Sequence, residues 1–77
     1  MDVDHEARAR AADRKAEAAE RRAAAARERA HVARVRATAA KHPSLYEAAA
    51  TLHERAATRH DAGAALQREH AREERDL

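Results

Sequence analysis

Apolar residues return every seven positions through the first half of this chain. From Ala9 the segments read ARAADRK, AEAAERR, AAAARER, AHVARVR and ATAAKHP. If the first residue of each segment is a, position a is Ala9, Ala16, Ala23, Ala30 and Ala37, and position d is Ala12, Ala19, Ala26, Ala33 and Ala40. A repeat held this long predicts a helix with one packed seam and a left-handed supercoil. Alanine at both seam positions lets two backbones approach to the short end of the ~8–10 Å interaxial range, or below it. Position c is apolar throughout, with Ala11, Ala18, Ala25, Val32 and Ala39. That column lies roughly 130° from the seam centre at about 100° per residue, so it offers a second stripe to a second neighbour.

The second half repeats as LYEAAAT, LHERAAT, RHDAGAA and LQREHAR. The seam here is Leu45, Leu52, Arg59 and Leu66 at d, with Ala49, Ala56, Gly63 and His70 at a. Tyr46, His53, His60 and Gln67 stand beside it, and Ala50, Ala57, Ala64 and Ala71 beyond them. Glu47, Glu54, Asp61 and Arg68 then point away from the partner. Large side chains on this helix would fill the space left by small ones on the first. Arg59 interrupts the leucine column, but its aliphatic stem can lie on the seam while the head reaches water.

Between the halves, Lys41-His42-Pro43-Ser44-Leu45-Tyr46-Glu47 reads as a stop and a restart. Lys41 and His42 suit the negative end of a helix, and Pro43 cannot extend it. Ser44 and Glu47 have the spacing of a capping box. The expectation is one domain over 1–77: a first helix over about 3–41, a turn at 42–44, and a second helix over about 45–75. Matched lengths and a short connection imply an all-α, antiparallel helical hairpin, an alanine-rich coiled coil. Residues 1–42 carry a net +4 and residues 43–77 a net −2, so the two helices attract each other.

Composition narrows the class further. The 77 residues include 25 Ala and 14 Arg but no Phe, Trp, Ile or Cys. So few β-branched and aromatic residues cannot build a sheet domain, and neither disulfides nor cysteine zinc sites are available. Charged residues are 39% of the chain, and no apolar run is long enough to span a membrane. The acidic start, Met1-Asp2-Val3-Asp4, lacks the apolar stretch of a secretory signal, so the cytoplasm is the expected location. Alanine-rich, charged helices of this kind resemble late-embryogenesis-abundant proteins, but those are built on eleven-residue repeats and this chain is built on sevens.

An alanine seam buries little. Each methyl contributes ~0.8 kcal/mol, against ~1–2 kcal/mol of backbone entropy per ordered residue. Chains this small usually need a metal, a disulfide or a partner. The expected solution is a homodimer, two hairpins forming a four-helix bundle. In layout alone this resembles the ROP-type hairpin dimers that bind RNA.

Candidate chemistry is sparse. Position g is basic throughout, with Arg8, Lys15, Arg22, Arg29 and Arg36, a row that could follow nucleic-acid phosphates. The single aromatic residue, Tyr46, gives no stacking platform for bases, and a g column ordinarily selects helix partners. Six His are present. Glu28 and His31 have the spacing of di-metal carboxylate bundles, but they lie away from the seam, where such a site has to point inward. His53 and His60 are seven residues apart, ~10.5 Å along a helix, too far to chelate one ion within a chain. His31 and His53 come nearly level across a hairpin. Boundary packing is the plain role for these His, and a pH-responsive or metal-binding bundle is the alternative. No catalytic, cofactor or metal residues are assigned. The expected function is a non-enzymatic structural or protein-interaction module, with nucleic-acid binding as the alternative.

Overall fold

The computed structural model of the chain describes residues 2–39, 41 and 43–77. Two helices account for nearly all of them: α1, Asp2–Ala39, and α2, Pro43–Asp76. They pack against each other along their whole length as an antiparallel hairpin, giving a rod of 62 × 12 × 10 Å. Alanine, arginine and glutamate are strong helix formers, and Arg36 and Arg75 place positive charge in the last turn of each helix.

The break between the helices lies two residues earlier than the sequence implied. Lys41 lies in a bend beyond α1, so that helix ends two residues earlier than expected. Pro43 is the first residue of α2. Its missing N–H and fixed φ suit that position, and Ser44 therefore sits one residue inside the helix instead of capping it. Ala40 and His42 lie outside the described residues.

The core is a ladder of methyl groups. On α1 the buried residues are Ala9, Ala12, Ala16, Ala23, Ala26, Ala30, Ala33 and Ala37. Ala19, in the same column, is half-buried. On α2 the buried residues are Ala50, Ala57, Ala64 and Ala71. Three of these four inner alanines meet two alanines of α1 three residues apart: Ala71 packs on Ala9 and Ala12, Ala57 on Ala23 and Ala26, and Ala50 on Ala30 and Ala33.

This placement corrects the seam expected for α2. Leu45, Leu52 and Leu66 are 68%, 63% and 67% exposed, and Arg59 is exposed beside them. Ala49 and Ala56 are half-buried and touch the edge of the core clusters without forming their centre. The reason is spacing. Where α1 offers methyl groups alone, the helices close until methyl meets methyl, and a leucine cannot enter the gap. The alanine column next round the helix takes the seam instead.

Candidate interaction surface

The α2 column expected to point away, Glu54, Asp61 and Arg68, lies against α1 and is continued by Arg75. It faces the column of α1 that follows the seam: Asp13, Glu20, Arg27 and Arg34. Arg34 pairs with Glu54, Arg27 with Asp61, and Arg68 with Glu20. Arg75 pairs with Asp13 at 2.8 Å and with Glu6 at 3.5 Å, and Arg68 also reaches Asp13 at 3.8 Å. The Arg34 hydrogen bond holds the Glu54 carboxyl below the usual carboxylate range. Hydrogen bonds to Asp61 and Asp13 raise the Arg27 and Arg75 guanidinium pKa values above their ordinary one. Reading the α1 column as acid-acid-base-base against acid-acid-base-base on an antiparallel α2 would have exposed this complementarity in the sequence; the leucine column drew the seam elsewhere.

The open end of the hairpin is closed by Glu74. Its Oε2 lies 2.8 Å from His5 Nδ1 and accepts a 3.1 Å bond from Arg8 Nε, while its Oε1 lies 3.8 Å from His70 Nε2. These neighbours leave the side chain 12% exposed. The His5 hydrogen bond first, and the Arg8 bond second, hold its carboxyl below the ordinary value.

The basic g row of α1 is solvent-exposed along its length. Arg8 is tied to Glu74, whereas Lys15, Arg22, Arg29 and Arg36 form no ion pair among the described residues. Arg29 and Arg36 share a shallow open groove with Val32, Tyr46, Ala49 and His53. Of the c column, Ala11 and Ala18 are half-buried, and Ala25, Val32 and Ala39 are exposed, so α2 does not cover that stripe.

Glu28 and His31 are both exposed, His53 and His60 half-buried. Among the described residues no group of three His, Cys, Asp or Glu side chains is placed to hold a metal ion, and no helix is long and apolar enough to cross a membrane. Compared with known proteins, the chain finds no match: no family model, no curated protein and no solved structure aligns with it significantly.

Proposed function

We propose that this chain is a non-enzymatic structural or protein-interaction module of the cytoplasm, a coiled-coil hairpin that acts as a dimer with four helices in contact. One observation carries the reading. The hairpin interior is alanine alone, while the larger apolar side chains Val32, Val35, Leu45, Leu52 and Leu66 stand in solvent at 36%, 55%, 68%, 63% and 67% exposure. A leucine contributes ~1.5–3 kcal/mol when fully buried, several times what one alanine methyl supplies. Much of the burial energy this chain could draw on is therefore outside its own fold. Association is the ordinary way for a small chain to use it.

Sedimentation equilibrium over micromolar to submillimolar concentrations tests the reading, with circular dichroism on the same samples. A mass twice 8.5 kDa and a melting temperature that rises with concentration support it. A monomer with full helicity and cooperative, concentration-independent melting overturns it.

A second reading rests on Lys15, Arg22, Arg29 and Arg36, a row of four cations that form no ion pair among the described residues, whereas the cations of the inter-helix ladder all have carboxylate partners. Seven-residue steps set them ~10.5 Å apart along one side of α1, a row that suits phosphate contacts. Binding to double-stranded DNA would then weaken with salt, with a log–log slope of about −0.9 for each phosphate neutralised. No binding at low salt removes this reading.

A further inference from the structure

Helix α2 carries two heptad stripes; α1 covers the inner one and only the small-residue edge of the outer one, where Ala49 and Ala56 are half-buried. The inner stripe, Ala50, Ala57, Ala64 and Ala71, is between 0% and 4% exposed. The outer stripe runs Leu45, Ala49, Leu52, Ala56, Arg59, Gly63, Leu66 and His70, in alternating steps of four and three. That alternation is the spacing of a helix–helix seam. It lies more than a right angle around α2 from the inner column, at about 100° per residue, and no element of the hairpin packs over its leucines.

Gly63 adds an independent observation. It sits inside a 34-residue helix, where glycine lowers helix stability relative to alanine. A Cβ built there would meet nothing within 4 Å, so the packing of α1 on α2 does not require the glycine. A large side chain arriving from outside the hairpin does use such a gap.

We propose that the outer stripe of α2 packs against the same stripe of a second copy, with the two α2 helices antiparallel. This deepens the self-association reading above and rests on it. Side-chain size sets the direction. Parallel seams bring like positions together, which would stack leucine on leucine and leave Gly63 facing glycine. Antiparallel seams bring the small column against the large one. The register that overlaps the whole stripe sets Leu52 over the partner's Gly63, Leu66 over the partner's Ala49, Arg59 over the partner's Ala56 and Leu45 over the partner's His70. The contact is about 39 Å long for residues 45–70. Charge agrees with the choice of helix: pairing through α1 would bring its basic row against a copy of itself, whereas the outer stripe of α2 holds one cation, Arg59.

Nitroxide labels test the geometry on the full chain. Lys41→Cys and Thr58→Cys place them at exposed positions off the stripe. In the proposed register the two-fold axis crosses α2 between Ala57 and Thr58. Pulsed dipolar spectroscopy should then give less than ~25 Å between the Thr58 labels and about 50 Å between the Lys41 labels. Short distances at both sites put the two turns at one end and overturn the antiparallel arrangement. Independently, Leu52→Lys with Leu66→Lys should raise the dimer dissociation constant by about tenfold or more. A double variant that dimerises as tightly as the parent places the contact on another face and overturns this inference while leaving self-association intact. A parent chain that stays monomeric overturns both, and leaves the stripe to a different partner. If the double variant does not fold, the label distances decide alone.

Discussion

Replacing Ala57 by Leu should destabilise the hairpin far more than the same change at Ala65. Ala57 is 1% exposed and meets Ala23 and Ala26 across the seam, whereas Ala65 is solvent-exposed on the same helix and belongs to neither stripe. Both changes carry the same small loss of helix propensity, so the difference between them isolates packing. At Ala57 the added isobutyl atoms enter a gap sized for one methyl. The helices must part there, and being stiff they loosen the layers above and below as well. Overpacking of a closed core costs ~1–3 kcal/mol. At ~4–8 °C of melting temperature per kcal/mol in a chain of this size, the expected fall is roughly 4–24 °C. Thermal melts followed by circular dichroism at one fixed concentration read it directly. If the Ala57→Leu and Ala65→Leu chains melt within a degree or two of each other, the seam does not run through Ala57 and the packing argument fails.

Further expectations concern charge and ions. Arg27→Glu should lower the melting temperature by bringing like charge against Asp61, and adding Asp61→Arg should recover most of the loss; an unchanged single variant would show that this rung contributes nothing. The depressed Glu74 pKa means that its bonds to His5 and Arg8 stabilise the fold fully above the ordinary glutamate value of about 4.3, and that this contribution is lost as pH falls through the depressed folded value. A carboxyl NMR titration should show Glu74 moving up toward the ordinary value in His5→Ala, and no movement would mean that the His5 contact is not formed in solution. Millimolar zinc or nickel should raise the melting temperature by less than ~2 °C, because a site at hundredfold excess over its Kd would stabilise by ~2.7 kcal/mol and shift the midpoint by many degrees. A large shift that disappears in His53→Ala with His60→Ala would instead establish a histidine metal site.

The hairpin itself was legible because its signals did not compete. The α1 columns a and d are alanine throughout, the residues between them are mostly polar, and a break just before Pro43 divides the chain into matched halves. In α2 the alanine column Ala50, Ala57, Ala64 and Ala71 lies one position from the column Ala49, Ala56 and Gly63. The expected seam ran through Leu45, Leu52 and Leu66, as the largest apolar side chains do in an ordinary core. Size is the wrong criterion here, because a helix that offers only methyl groups sets a separation which larger side chains cannot enter. The misplaced seam also turned Glu54, Asp61 and Arg68 outward on paper, hiding the ladder they form with α1. Which way round a pair of helices buries its alanines is a joint property of both, and one helix read alone does not contain it.

A core of identical layers has no means of measuring position along the rod. Moving α2 by one heptad past α1 sets most of its inner alanines on other alanines, so over most of the rod packing is nearly indifferent to the slip. The charges are not. In one direction the slip brings Glu20 beside Asp61, and in the other it brings Arg27 beside Arg68. In the observed register Asp13, Glu20, Arg27 and Arg34 each meet an opposite sign. The change from acid to base partway along each helix works as a ruler. Exposed ion pairs contribute little to stability, and here their role is to specify which of several near-equivalent alignments the chain adopts.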